Sequence, residues 1–284
     1  MIRLDAATVL LQWAAGGLLF CWITTRHREV GLGYGWLLRG TYLLLALGAA
    51  AAAVAFDGPP LVAASSLAVA LAAGGALVSS VMRKGAGVSG QQAEHDRRSA
   101  RVAAMTGIER TATVEAEAGP EFDPRLDLVA PVLGAVGLVA AGLDAGSDQL
   151  LVVARNLVGA AFLGAITDAM LLGHWYLVQP GLPRRHLHEL VRWVQWLWFP
   201  EVALLLVPPG MVAVLTGEID DGWNGILGWT WVMCALTTIG LVLTTRAALK
   251  ERAYSAVMAA TGLLYLAILT AFGTDLVARA VLAG

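Results

Sequence analysis

The sequence predicts an all-α, polytopic integral membrane helix bundle of about eight transmembrane spans. Three observations carry that expectation. First, the 284-residue chain is 58% hydrophobic and only 14% charged, with mean hydropathy +0.69. A soluble domain carries roughly 25% charged residues, so too little polar surface remains to cover a water-exposed globule. Second, the apolar residues fall in runs near the roughly 20 residues that a helix needs to cross a bilayer. Third, the charges gather between the runs, and their sign alternates from one connection to the next.

In chain order the expected spans are residues 7–25, 34–56, 60–82, 127–144, 149–178, 189–214, 223–246 and 253–276. These runs are too long and too uniformly apolar for the alternating strands of a barrel, the other structure that satisfies its backbone in lipid. The first run is flanked more strongly by Arg26 and Arg28 than by Arg3, which fits a retained first helix better than a cleaved signal peptide. Residues 1–82 thus hold spans 1–3, residues 83–126 form a polar loop broken by short apolar stretches at Val102–Ile108 and Thr113–Val114, and residues 127–284 hold spans 4–8. Thr24-Thr25-Arg26 with Tyr42, and Thr244-Thr245-Arg246 with Tyr254, echo one another at two hairpins, but a tripeptide is too short to establish duplication.

Orientation follows from the connections. Arg26 and Arg28, then Arg83 to Arg125, then Arg184, Arg185 and Arg192, then Arg246, Lys250 and Arg252 mark every second connection. Asp57, Asp144, Asp148, Glu218, Asp220 and Asp221 mark the others. The positive-inside rule puts the basic loops in the cytoplasm and both termini outside, in a cell (inner) membrane. The lipid bilayer and other protein subunits are the expected partners. A net charge of −2 gives no bulk attraction to nucleic acid. Cys21 and Cys234 lie inside apolar runs without a metal or haem-attachment context and read as small packing residues.

Ionisable residues at membrane depth are expensive and mark function by default. Asn156, Ala160, Gly164 and Asp168 recur every four residues and share one helix face, whose small members admit a neighbouring helix. Asp168 is therefore expected to point into the bundle. Glu201 follows Pro200 in the next span. Counted from Tyr176 and Trp193 as interface markers, both carboxylates sit at matching depth, so a shared proton-handling site is expected. His174, Trp175 and Tyr176 form the expected contact for a quinone or b-type haem near the cytoplasmic face, with Gly173 leaving room for a flat ligand. His186 and His188 open the following span. No metal site is expected. Arg39 is read as reaching back to the interface, and Asp275 and Arg279 as an i,i+4 pair. Nucleotide, zinc-protease and serine-hydrolase motifs are absent from the sequence.

Three functions fit these residues: a membrane subunit of an electron-transfer or proton-translocating complex, a proton-coupled small-solute or ion transporter, and an anchor for peripheral subunits. All three share one topology, which thiol labelling checks. A cysteine placed at Glu218 is expected to react in intact cells, and one placed at Lys250 only after permeabilisation. The reverse pattern would overturn the orientation.

Overall fold

The computed structural model describes residues 4–90, 93, 96, 120–146, 148–179, 181–208 and 210–283. Most of the 83–126 loop, including both of its apolar stretches, lies outside the described residues. Among the described residues nine α-helices follow in order: α1 (Ala6–Thr25), α2 (Leu32–Ala55), α3 (Pro60–Met82), α4 (Val129–Leu143), α5 (Gln149–Trp175), α6 (Arg185–Leu206), α7 (Met211–Leu215), α8 (Ile226–Ala248) and α9 (Tyr254–Leu282). A 3₁₀ turn at Pro124–Leu128 leads into α4. No strand occurs among the described residues.

The start and stop signals are local. Asp5 caps α1 by accepting from the Ala7 and Thr8 amides. Pro60 opens α3 at the first position, where a missing N–H costs nothing. Asp221 accepts from the amides of Trp223, Gly225, Leu227 and Gly228 and so organises the entry to α8. These hydrogen bonds, led by Gly225, hold its carboxyl below the usual carboxylate range.

Seven of these helices are long and apolar enough to cross a membrane, so the chain is a multi-pass helical membrane bundle with about seven such spans and not eight. The exception is the expected span 189–214. It begins earlier, at Arg185, and ends at Leu206, where Val207 turns extended ahead of Pro208. Arg185, His186, His188, Glu189, Arg192 and Glu201 make α6 too polar to count with the others. It packs beside α5 nonetheless, and Arg155 of α5 donates to the Leu204 and Val207 carbonyls at its far end.

Helices α1 and α5 form the centre. Their windows are 67% and 61% buried, against 28–39% for the other five. They touch along glycine. A Cβ on Gly16 would stand 1.7 Å from the Ala160 carbonyl oxygen, and one on Gly164 would stand 2.2 Å from the Gly16 carbonyl carbon. A Cβ on Gly17 would enter the Tyr42 ring. Around this pair, α2, α3 and α4 pack on one side and α6, α8 and α9 on the other.

Arg39 is buried and not solvated. Its guanidinium grips Asp127 at 2.7 and 2.6 Å and covers the Phe122 ring at 4.5 Å, because a buried guanidinium finds its best geometry in a bidentate carboxylate. This ties the 3₁₀ turn to α2.

Backbone against backbone leaves no flexible atom to yield. Gly16→Ala is expected to destabilise the detergent-solubilised protein by at least about 1–3 kcal/mol. Gly75→Ala, with nothing within 4 Å, is expected to be neutral or stabilising. Thermal unfolding of the two variants measures the difference.

Candidate functional site: two buried polar clusters

The first cluster sits in the last third of α5. Asp168 is fully buried, and the Tyr42 hydroxyl of α2 donates to its Oδ1. Tyr34, two turns earlier on α2, donates to the Asp168 carbonyl at 3.2 Å. Gly17 allows this, since any side chain there would displace the Tyr42 ring. Asp168 Oδ2 has no hydrogen-bond partner. On the neighbouring residue, Thr167 accepts from the Trp13 indole at 3.0 Å, and Trp13 packs edge-on against Phe272.

The second cluster lies nearer the acidic end, the end carrying the α2–α3 and α4–α5 turns. Arg279 of α9 donates to Asp275 one turn earlier at 2.7 Å, to Asn156 of α5 at 3.3 Å and to Gln12 of α1. Gln12 reaches Asp275 at 3.5 Å, and Gly159 supplies the space it fills. All four residues are almost completely buried. Glu201 of α6 is also buried, with Arg155, Asp275 and Arg279 as its charged neighbours and no hydrogen-bond partner for Oε1. A cavity of about 680 Å³ opens above this cluster between Asp5, Asp57 and Asp144, and its floor is Asn156 and Arg279.

Asp168 and Glu201 therefore belong to different clusters. Asp168 stands seven residues from the end of α5, and Glu201 sixteen residues from the start of α6. At 1.5 Å per residue the axial offset is roughly 14 Å. The matched-depth reading fails because its two reference aromatics are not level: Tyr176 caps the end of α5, whereas Trp193 lies eight residues inside α6. Trp193 packs edge-on against Phe20 of α1. Glu201's charged neighbours are Arg155, Asp275 and Arg279, and the last two are held by Gln12 and Asn156. Of these, the sequence reading paired only Asp275 with Arg279, and Gln12, a polar residue inside the first apolar run, was the available signal for the rest.

His174, Trp175 and Tyr176 diverge. His174 is exposed on the bundle perimeter, with Nδ1 3.3 Å from the Tyr265 hydroxyl of α9. Trp175 turns toward α2, 5.8 Å from Tyr34, and donates to Gln179. Tyr176 is buried and donates to the Pro183 carbonyl. Gly173 leaves no room for a flat ligand, because Thr261 of α9 fills it: a Cβ there would stand 2.7 Å from the Thr261 hydroxyl. Among the described residues no group of three or more His, Cys, Asp or Glu could hold a metal ion.

His186 instead belongs to a latch at the basic end. It and Arg185 both contact Glu29 of the α1–α2 connection, His186 Nε2 at 2.6 Å, and Arg26 pairs with Glu189 at 2.5 Å. Burial alone would raise the Glu29 carboxyl, but hydrogen bonds from Arg185 and His186 outweigh it and hold it below the ordinary carboxylate range. Burial lowers His186 in spite of Glu29. Glu29 thus has both Arg185 and His186 as partners, with Arg185 supplying the permanent charge.

No known protein family, characterised protein or solved structure matches this chain.

Both shifts have one sign. The unfolded chain binds protons more readily at Glu29 and His186 than the folded one, so the latch is stable at neutral pH and weakens as pH falls. It loosens first below the ordinary histidine value of about 6.5, then through the carboxylate range. Hydrogen exchange at residues 26–31 is expected to speed up in that order. Exchange that does not change between pH 7 and 4, after correction for intrinsic rates, would overturn this.

Proposed function

We propose that this chain is a proton-coupled small-solute transporter of the cell (inner) membrane, with both termini outside and the basic loops in the cytoplasm, an arrangement that makes the polar helix α6 an eighth crossing beside the seven apolar spans. One observation carries the reading. Two fully buried carboxyl groups, Asp168 and Glu201, each keep an oxygen without a hydrogen-bond partner, on consecutive helices and at different depths. Such an oxygen is strongly disfavoured in a low-dielectric interior unless it takes up a proton or a ligand during the working cycle. The Tyr42 hydroxyl on Asp168 gives that carboxyl a proton-exchanging neighbour. The acidic mouth of the 680 Å³ cavity raises the local concentration of cations above the second cluster.

A second reading, a membrane subunit of an electron-transfer complex with other protein subunits, draws on a different observation. The His174–Tyr265 pair is exposed on the perimeter, where a lipid-soluble quinone or a neighbouring subunit can reach it from the bilayer. The transporter reading is preferred because the cluster around Glu201 lies beneath a cavity, through its neighbour Arg279.

Purified protein in liposomes with an internal pH dye tests the reading. Asp168→Asn is expected to lower proton flux about a hundredfold, the scale of a lost proton-transfer group. Tyr42→Phe should lower it by less, and His174→Ala should leave it unchanged. Wild-type flux in Asp168→Asn would overturn the proposal, and quinone-linked turnover lost in His174→Ala would transfer the preference to the second reading.

A further inference from the structure

We propose that the cavity at the acidic end, together with the buried cluster beneath it, binds a small zwitterion: a solute carrying one carboxylate or similar anionic group and one ammonium group. The proposal rests on the transporter reading and names its substrate class.

The argument begins with charge conservation in a low-dielectric medium. Asp275 and Arg279 lie one helical turn apart on α9 and their charges cancel within a single helix, and their neighbours Glu201 and Arg155 are a second pair of opposite sign. A lone cation or anion entering this cluster would leave one buried charge uncompensated, which a membrane interior strongly penalises. A zwitterion adds no net charge. Its carboxylate can take donors from Arg279, and its ammonium can lie toward the acidic side, so every charge keeps an opposite neighbour.

The hydrogen-bond lengths identify what a ligand would replace. The Arg279–Asp275 bond is short, at 2.7 Å. The bonds from Arg279 to Asn156 and from Gln12 to Asp275 are long, at 3.3 and 3.5 Å. At these lengths a charged group's bond to a neutral amide exchanges readily for ligand oxygens and ammonium protons, while the Arg279–Asp275 pair and the short Arg279–Gln12 bond stay intact. Asn156 and Arg279 line the cavity together with the buried Thr8, so the Arg279–Asn156 bond lies where a solute arriving from the acidic end would meet it. The mouth, formed by Asp5, Asp57 and Asp144, attracts the ammonium end and orients the carboxylate inward. At about 680 Å³ the cavity falls in the ordinary range for small-molecule sites, about 300–1,000 Å³.

The test is ligand-induced stabilisation of the full chain in detergent. The probes are the standard L-amino acids, glycine betaine and taurine, compared with sodium acetate and methylammonium chloride at equal ionic strength. At least one zwitterion is expected to raise Tm by roughly 5–10 °C at about a hundredfold excess over Kd, with no response to either single ion. Arg279→Gln is expected to abolish the shift. Asn156→Ala keeps the charge pair and so guards against simple loss of fold; it is expected to raise Kd about tenfold. A Thr8→Cys variant, in the cavity wall, should react with a charged thiol reagent more slowly when the stabilising zwitterion is present. The site is overturned if no zwitterion shifts Tm, if acetate or methylammonium shifts it equally, or if Asn156→Ala binds like wild type and Thr8→Cys labelling is unaffected. The two proposals fail separately. Zwitterion binding in a chain without proton flux keeps the site and removes the coupling, whereas proton flux without zwitterion binding does the opposite.

Discussion

The close approach of α1 and α5 is the constraint from which the polar interior follows. Apolar side chains gain nothing by leaving lipid for one another, so helices in a bilayer associate where small residues permit dense packing. Gly16, Gly17, Ala160 and Gly164 provide that contact. It fixes what faces what on either side. Toward the acidic end, Gln12 falls over Gly159 and meets Asp275; toward the basic end, the Tyr42 ring slides over Gly17 to reach Asp168. Separating the two helices by the width of one methyl group would disengage both clusters.

The remaining buried charges show how differently a bundle can compensate them. Arg39 and Asp127 are bidentate and couple two elements, which makes the pair a clasp for the segment entering α4. Arg155 donates to two carbonyls at the end of α6, where helical carbonyls lack their own partners. Asp275 and Arg279 close on each other within α9. Only Asp168 and Glu201 retain a carboxyl oxygen outside any such arrangement among the described residues. The contrast sets these two apart, since the same bundle satisfies comparable groups elsewhere.

Much of the architecture was legible because membrane partition is nearly additive over residues. A run of apolar side chains declares itself without knowledge of its neighbours, and the four-residue spacing of Asn156, Ala160, Gly164 and Asp168 placed them on one face. What was not legible depended on tertiary neighbours. Gly173 beside His174 reads as open space in one dimension, yet Thr261 from a helix almost ninety residues later occupies it. Trp193 reads as an interface marker, yet it serves as a packing surface for Phe20. The polarity of α6 misled in another way. A run that carries six ionisable residues can still lie in the bundle when its apolar residues, Leu187, Leu190, Val191 and Val194, line one face.

That helix is also where backbone and charge meet. Pro200 cannot donate to the carbonyl of Trp196, and its ring disturbs the preceding turn, so α6 bends most easily one residue before Glu201. Beyond that point, α6 is held by the Arg155 bonds to Leu204 and Val207 and by Leu205 in a small apolar cluster with Met211, Trp231 and Leu282. Before it, the latch at Glu29 and the apolar face on α5 and α1 hold the helix firmly. A change of charge at Glu201 therefore acts on the segment of α6 that is most free to respond. Arg155 and Arg279, its cationic neighbours, belong to the two helices that form the cavity floor. On the transporter reading, proton exchange at Glu201 acts on the floor of the cavity through these same three helices, α5, α6 and α9, which is the physical requirement for one to drive the other.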